Sequence, residues 1–323
     1  MIKSSVMKVF RPINPLLSLI ATALFLFPSA LFSQQHIERG YDAILSQYSK
    51  EIVETLSSDS YQGRKAGEPG GFMAACCVSS MLRSCGVAPL VGNSYFQYFR
   101  NRRYCSVMGM RNVLGIVRGE SDEVVVVGAH YDHLGMIDGG EGDVCYNGAD
   151  DNASGVSAVL QIAKAVVATG KKPYRSIVFA LWDGEEKGML GSTFFVGECP
   201  FMSSVKAYMN FDMIGRGPLE NPRHLSYIYT AANSAFGDWL RDDSAKRGFS
   251  FVTEYKPWDD PRYGSDNAPF AELGVPVVWY HTEGHPDYHQ VSDTHDKIDY
   301  EKLLDITRAA FLCVWRLANE KTY

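Results

Sequence analysis

Hydrophobic residues recur along this chain at two spacings, every three or four residues in some segments and in short unbroken runs in others. The first spacing is typical of a helix with one buried face, and the second is typical of a strand buried on both faces. Helical spacing predicts helices at 41–56, 71–85, 156–167 and 300–319. Unbroken runs predict strands at 113–117, 124–129, 176–182, 205–211 and 276–280.

The order of these segments predicts the fold class. From about residue 112 onwards, strands alternate with helices, which favours a sheet covered by helices on both faces. No linker rich in Pro and Gly divides this part of the chain, and the Gly-rich segment 63–71 reads as a loop. We therefore expect an α/β fold, a single-domain three-layer αβα sandwich with a mixed, mostly parallel central sheet.

The N-terminal segment has the pattern of a secretory signal. Residues 1–12 contain Lys3, Lys8 and Arg11 and no acidic residue, and a mostly apolar run from Leu16 to Phe27 follows. This run is shorter than the ~20 residues that span a bilayer, so a membrane anchor ranks second and no stable membrane insertion is expected. The sequence predicts a signal peptide at 1–33, a mature domain at 34–323, and export to the periplasm or the medium.

Charge and cysteine usage narrow the possible partners. The chain has 31 basic and 37 acidic residues, and residues 1–33 contain three of the basic ones, so the mature chain carries a formal charge of −9. Such a surface argues against nucleic acid and anionic membranes as partners. The seven cysteines form no Cys-x-x-Cys pair, which argues against a structural zinc knuckle. An odd number leaves at least one thiol unpaired within the chain, and no disulfide is assigned.

Acidic residues and histidines collect where the predicted strands end. In α/β sheets, the crevice beyond the carboxyl ends of the strands is the usual ligand site, so these side chains should meet in one cleft. The predicted strand 124–129 is followed by His130-Tyr-Asp132, and 176–182 is followed by Asp183-Gly-Glu185-Glu186. Asp212 follows the strand 205–211, and the histidines His281, His285 and His289 follow the strand 276–280.

Such a cluster calls for divalent cations. Carboxylates at close range repel one another, and metal ions would neutralise them. Ligation by Asp, Glu and His without a thiolate suits zinc in a hydrolytic site, and two neighbouring ions need one bridging carboxylate. Asp151 is the expected bridge because Gly148-Ala-Asp-Asp-Asn-Ala-Ser-Gly155 places it in a tight turn before a helix. Alone, each motif has an ordinary explanation, but their ordered occurrence favours a metal site.

Together these motifs resemble those of the co-catalytic zinc aminopeptidases, which include secreted bacterial enzymes and are related to glutamate carboxypeptidase. The resemblance runs from about Leu56 to the C-terminus. It rests on Gly128-Ala-His130-Tyr-Asp132, Gly148–Gly155, Glu185-Glu186, Asn210-Phe-Asp212 and His289 with Asp293-Thr294. The segments 59–71 and 284–302 also look like those of the bacterial members.

The resemblance implies two co-catalytic zinc ions, with His130 and Asp212 on one ion, Glu186 and His289 on the other, and Asp151 bridging both. It assigns two further residues to catalysis. Glu185 would be the general base, and Asp132 would hydrogen-bond the imidazole of His130 and fix its tautomer. It also implies a cis peptide bond after Asp151.

Two positions depart from the family pattern. Asn267 stands where many relatives have the His of a Ser-Asp-His sequence, which bears on the shape of the pocket more than on metal binding. Tyr263 is a candidate to donate its hydroxyl to the oxyanion of the reaction, although its spacing does not align with that of the relatives.

The resemblance implies hydrolysis of the N-terminal amino acid from peptides with a free N-terminus, while the residues alone indicate metal-assisted amide hydrolysis. Glutaminyl cyclisation on the same scaffold with one zinc ion is the main alternative, and the full 148–155 motif disfavours it. A carboxypeptidase would want a basic pocket, for which Arg216, Arg223 and Arg262 are available. A non-catalytic binding module ranks lower because every ligand and the base are present.

Overall fold

The computed structural model of the chain describes residues 34–101, 104, 108–139, 144–258, 260 and 263–323. The predicted signal peptide lies outside these residues. Among the helices of the described segments, none is both long enough and apolar enough to cross a membrane.

The helices and strands follow one another in the predicted order, with additional elements between them. The α-helices are α1 (34–42), α2 (Ser46–Leu56), α3 (Pro69–Ser84), α4 (Gly155–Ala168), α5 (Leu190–Glu198), α6 (Ala235–Arg247), α7 (Ala268–Glu272) and α8 (Tyr300–Asn319). The strands are β1 (Ala88–Pro89), β2 (Phe96–Phe99), β3 (Met110–Val117), β4 (Val124–His130), β5 (Ser176–Trp182), β6 (Val205–Phe211), β7 (His224–Thr230), β8 (Val252–Trp258) and β9 (Val277–His281).

All of these strands belong to one sheet with the order β1-β3-β5-β4-β6-β9-β7-β8, and β2 also pairs with β3. The central pairs β5–β4, β4–β6 and β6–β9 are parallel, as is β7–β8 near one edge. The pairs β3–β5 and β7–β9 are antiparallel. The predicted α/β fold with a mixed sheet is therefore confirmed, and its parallel strands form the centre.

Helices cover both faces of this sheet. Successive strand residues point to opposite faces. Accordingly, Val125 and Val127 of β4 belong to a large apolar core with α2, α3, α4 and α8, whereas Val126 belongs to a smaller one with Phe195 of α5 and Phe270 of α7. Each fully buried side chain of this size contributes roughly 1.5–3 kcal/mol. The rigid centre of the sheet is thus the frame on which the ends of β4, β5, β6 and β9 are fixed.

The predicted helix at 41–56 is two helices, and the break has a physical cause. Leu45 has an extended backbone (φ −124°, ψ 131°). The side chain of Gln161 on α4 accepts a hydrogen bond from the Leu45 N–H at 3.2 Å and donates one to its carbonyl oxygen at 2.7 Å. The bond to the Leu45 N–H replaces a helical one, while the Leu45 carbonyl oxygen also accepts the Ser49 N–H of α2 at 3.2 Å. The fully buried Ile44 anchors the corner in the core.

Candidate metal centre

Four adjacent strands deliver most of the polar cluster to one edge of the sheet. His130 is the last residue of β4, and Asp212 directly follows β6. Glu185 and Glu186 lie in a short 3-10 turn after β5, and His289 lies in the loop after β9. Because these strands are parallel neighbours, their carboxyl ends meet, as the sequence predicts.

Asp151 reaches the cluster from a turn that its surroundings hold firmly. Gly148 opens the turn with φ +56°, a conformation that costs glycine little. The carboxylate of Asp293 accepts the backbone N–H groups of Asp150 and Asp151, each at 3.0 Å. The peptide bond between Asp151 and Asn152 is cis, as the resemblance implied.

A buried arginine joins this turn to the end of β4. The side chain of Arg64 is 1% exposed, and its guanidinium donates only to backbone carbonyl oxygens. These oxygens, at 2.6–3.4 Å, belong to Leu56, Tyr131, Asn147, Gly148 and Asp151. One side chain thereby ties three stretches of chain around the candidate bridging residue.

The carboxylate of Asp151 lies between two pairs of side chains. On one side, the Nε2 atom of His130 is 3.3 Å from Asp151 Oδ1 and 3.4 Å from Asp212 Oδ1. On the other side, the Nε2 atom of His289 is 3.1 Å from Asp151 Oδ2 and 3.3 Å from Glu186 Oε2. Each oxygen of Asp151 thus faces a different histidine, and each of these histidines also faces a second carboxylate.

These separations fit two metal ions. A tetrahedral zinc ion with bonds of 2.0–2.2 Å keeps its ligand atoms about 3.3–3.6 Å apart. The four distances are 3.1–3.4 Å, at or just below this range and longer than most charge-assisted hydrogen bonds. The ligand atoms of His130, Asp151 and Asp212 lie close enough together to hold one ion. Those of His133, Asp151 and Glu186 also lie close together, but His133 Nδ1 is 2.7 Å from Glu186 Oε1, a hydrogen-bond distance.

The charges in this cluster also call for cations. Burial opposes protonation of His130, but the Asp212 and Asp151 carboxylates outweigh it and raise the pKa of His130 well above its usual range. Burial likewise favours a proton on Asp151, but the surrounding histidines outweigh it and lower the pKa of Asp151. The carboxylates therefore stay ionised only beside positive charge, which divalent ions supply.

Glu185 stands beside the ligand atoms, in the lining of the cleft. Burial raises its pKa well above the usual range of a carboxyl group. Its backbone N–H donates to Asp132 Oδ1 at 3.0 Å. The same Oδ1 atom is 3.7 Å from His130 Nδ1, beyond hydrogen-bond distance, while the carbonyl oxygen of Asp132 is 3.2 Å from that nitrogen. The structure therefore places the Asp132 carboxylate against Glu185 and its carbonyl against His130.

A cleft of about 240 Å³ opens over the cluster. Apart from the candidate ligands and Glu185, it is lined by Met213, Gly264, Trp279, His281, Gly284 and Tyr288. The exposed Tyr263 is not among the lining residues. Asn267 is buried and donates to the Tyr263 carbonyl oxygen at 3.4 Å, so it supports the loop beside the cleft.

Other residues identified in the sequence analysis contact partners outside the ligand cluster. His285 lies 3.2 Å from Asp150 and not in the ligand cluster. Arg216 pairs with Asp287 at 2.6 Å, and Arg223 pairs with Glu301 at 2.8 Å. Arg262 lies outside the described residues.

Sequence reasoning missed three residues around the cluster. Arg64 holds the Asp151 turn, and the Ser265 hydroxyl donates to Asp212 Oδ2 at 2.6 Å. His133 is buried beside Glu186, with its Nδ1 atom 2.7 Å from Glu186 Oε1. A signal for His133 was present, since it extends the motif that begins at His130, but one histidine at this spacing does not indicate its partner.

The chain is similar in sequence to several curated proteins. It is 33% identical over 162 residues to leupeptin-inactivating enzyme 1 of Streptomyces exfoliatus, and this match covers 49% of this chain and 32% of that protein. It is 29% identical over 263 residues to the probable glutamate carboxypeptidase VP8 of Zea mays (73% and 34%). It is 38% identical over 167 residues to the probable leucine aminopeptidase 2 of Arthroderma benhamiae (49% and 30%). The matches span about a third of the length of these relatives.

Solved structures share the fold at lower identity. The LapA aminopeptidase of Legionella pneumophila matches with a TM-score of 0.69 and 21% identity, over 89% of this chain and 75% of that one. The glutaminyl cyclase of Porphyromonas gingivalis matches with a TM-score of 0.65 and 17% identity, over 84% and 99%.

The family model described as peptidase family M28 matches residues 112–314, which begin in β3 and end in α8. The match therefore includes all four strand ends and the turn that carries Asp151. Since it covers more than half of the 323 residues, the chain belongs to peptidase family M28.

Proposed function

We propose that this protein is a zinc-dependent aminopeptidase that hydrolyses the N-terminal amino acid from peptides. The observation that carries the proposal is the position of Asp151, whose two oxygens face two different histidines. Each of these histidines also faces a second carboxylate, close to the spacing of ligands on one zinc ion. Membership of a peptidase family, a leucine aminopeptidase among the relatives and an aminopeptidase among the structures of the same fold support it.

Two co-catalytic zinc ions would be held by five side chains. His130 and Asp212 would bind one ion, Glu186 and His289 the other, and Asp151 both. When bound, the ions polarise the scissile carbonyl group, lower the pKa of a water molecule between them and stabilise the charge that develops on the carbonyl oxygen.

Glu185 would be the general base. Its carboxylate lines the cleft beside the ligand atoms, where it can accept a proton from the attacking water and donate it to the leaving amine. Asp132 fixes the base by accepting the Glu185 N–H at 3.0 Å.

The cleft favours a chain terminus as substrate. Its volume of about 240 Å³ is below the roughly 300–1,000 Å³ of sites for drug-sized ligands, so it suits one terminal residue better than a length of peptide.

We further propose that the protein is exported to the periplasm or the medium. The basic and apolar pattern of residues 1–33 supports a signal peptide, and residues 34–323 would then form the working domain. The acidic charge of this domain supports peptides rather than nucleic acid as its partners.

The proposed activity predicts a clear substrate pattern. Residues 34–323, loaded with zinc, should hydrolyse aminoacyl anilides with a free amine and leave their N-acetylated forms intact. A chelator should abolish the hydrolysis, and added zinc should restore it. Release of the aniline group is measured by absorbance. Turnover of the acetylated forms, or no turnover of any anilide by zinc-loaded protein, would contradict the proposal.

Glutaminyl cyclisation remains a second candidate, because the cyclase of Porphyromonas gingivalis shares the fold over 84% of this chain. The second group of ligand atoms around His289 disfavours it, since a cyclase would need a single zinc ion. Peptides that begin with Gln separate the two activities. An aminopeptidase releases free glutamine from them, and a cyclase releases ammonia and leaves a pyroglutamyl peptide.

The wall of the cleft offers a test of substrate binding. Gly264 has φ +112°, and a Cβ atom there would lie 2.4 and 2.5 Å from ring atoms of Trp279. The substitution Gly264→Ala should therefore displace Trp279 and raise KM for an aminoacyl anilide by about tenfold or more. Gly274→Ala is the control, because Gly274 also has a positive φ (+73°) but no neighbour within 4 Å of the added atom. Equal KM changes in both variants would contradict the role of this wall.

A further inference from the structure

His133 is a buried histidine to which the proposed mechanism gives no role. It follows Asp132, and its side chain has no exposed surface. The ring lies between aromatic neighbours, with its centroid 5.8 Å from that of His289 and 6.5 Å from that of Tyr146. Its Nδ1 atom is 2.7 Å from Glu186 Oε1 and 3.7 Å from Asp151 Oδ2.

The shorter distance decides between two roles for this ring. Two ligand atoms on one tetrahedral zinc ion lie about 3.3 Å apart, so a separation of 2.7 Å is too short for His133 and Glu186 Oε1 to share an ion. It is the usual length of a hydrogen bond from a nitrogen to a carboxylate. Because an ionised carboxylate can only accept, the Nδ1 atom must carry the hydrogen and donate it.

The two oxygens of Glu186 therefore have different partners. Oε1 accepts from His133, while Oε2 lies 3.3 Å from His289 Nε2, at the spacing of a shared ion. Asp212 shows the same division, since its Oδ2 accepts from the Ser265 hydroxyl at 2.6 Å and its Oδ1 faces His130 at 3.4 Å. Each terminal carboxylate is thus oriented by one hydrogen-bond donor.

The backbone fixes the His133 ring in this place. The backbone N–H of His133 donates to the Arg64 carbonyl oxygen at 3.2 Å. On the other side, Gly148 leaves room for the ring, because a Cβ atom there would lie 2.5 and 2.7 Å from ring atoms of His133. The donor is therefore held in place before any ligand binds.

The ion site at His289 should depend more on an oriented carboxylate ligand than the ion site at His130 does. The side chain of His289 is 34% exposed, whereas that of His130 is 2% exposed. Water can therefore compete for the ligands at His289 more readily than at His130, and a Glu186 side chain that turns away would leave this site with two protein ligands.

We propose that His133 is a positioning residue, which donates its Nδ1 hydrogen to Glu186 Oε1 and holds Glu186 as a one-oxygen ligand of the ion at His289. This inference rests on the two-ion function proposed above. Loss of the donor should weaken one ion and leave the other, since partners that orient metal ligands typically account for 10- to 100-fold in affinity.

The test is a zinc titration of the purified protein at buffered free zinc, with metal content measured by atomic emission. Wild-type protein should bind two zinc ions per chain. His133→Leu should weaken one of them by about 10- to 100-fold and keep the other. His133→Asn should stay within a few-fold of wild type, because the amide of Asn can place a donor where the Nδ1 hydrogen lies.

The same titration in a His289→Ala protein shows which of the two ions depends on His133. His289→Ala should retain the ion at His130, and adding His133→Leu to it should not change the remaining affinity. The inference is overturned if His133→Leu keeps both affinities, weakens both equally, or weakens the remaining ion of the His289→Ala protein. It is also overturned if His133→Asn is as defective as His133→Leu. A wild-type protein that saturates with one zinc ion would overturn the two-ion function itself, and the inference with it.

Discussion

Replacing Glu185 with Gln should lower kcat/KM by about 10²- to 10⁴-fold, the usual contribution of a general base. Glutamine keeps the size and the backbone N–H that donates to Asp132, but it cannot accept the proton of the attacking water. Zinc content and the free energy of unfolding should stay close to wild type, because Glu185 is not among the proposed ligands. Steady-state kinetics on an aminoacyl anilide, together with metal analysis, measure both effects.

Glu186→Gln is the matched control, since it makes the same chemical change one residue away. Glu186 is a proposed ligand, so this variant should lose affinity for one zinc ion as well as activity. Glu198→Gln, at the exposed end of α5, removes a carboxylate far from the cleft and should leave both properties unchanged. A Glu185→Gln protein that loses zinc, or that retains activity, would contradict the assignment of the base.

Replacing Arg64 with Ala should destabilise the protein more than any surface change. Its guanidinium donates to five backbone carbonyl oxygens, of which that of Gly148 also accepts the Ala153 N–H. A buried carbonyl that is left without a partner costs about 1–3 kcal/mol. Several such losses approach the roughly 5–15 kcal/mol by which a folded domain exceeds its unfolded state. Urea unfolding in the presence of a chelator should therefore show a loss of several kcal/mol, or no folded protein.

Two variants control for the loss of charge. Arg241→Ala removes an exposed arginine that pairs with Asp238 at 3.0 Å on α6, and it should cost about 1 kcal/mol or less. Arg64→Lys keeps the charge but has three donors in place of five, so it should restore little of the lost stability. An Arg64→Ala protein within 1 kcal/mol of wild type would show that water or other donors replace the guanidinium.

Most of the buried elements of the fold could be predicted from the sequence; β7 is an exception, because His224, Ser226 and Thr230 interrupt its apolar run although five of its seven residues are buried. Unbroken apolar runs gave β5 and β6 with their observed bounds, and helical spacing gave α8, because a buried element leaves few polar positions to obscure its period. The elements α6, β7 and β8 were missed. β8 is an edge strand with mixed exposure and contains Lys256 and Pro257, and α6 is largely polar. Such elements form through tertiary pairing rather than through a local pattern.

The candidate site could be predicted in part for a related reason. Its five proposed ligands occur at or shortly after strand ends, in the loop after β9 or in a Gly-bounded turn, and the structure brings all five together. The residues that orient these ligands do not occur in a recognisable sequence pattern. Arg64 bonds carbonyl groups 67 to 87 residues away in the Tyr131 and Asp151 segments, and only the folded chain shows which groups these are. The same applies to Ser265, which is 53 residues from Asp212.

The two-ion site itself is tested most directly by anomalous X-ray scattering at the zinc absorption edge, from crystals of residues 34–323 grown with zinc. Two peaks are expected about 3.5–4 Å apart, on either side of the Asp151 carboxylate. One peak should lie next to His130 and Asp212, and the other next to Glu186 and His289. A single peak at full occupancy, or peaks that do not share Asp151, would contradict the two-ion site.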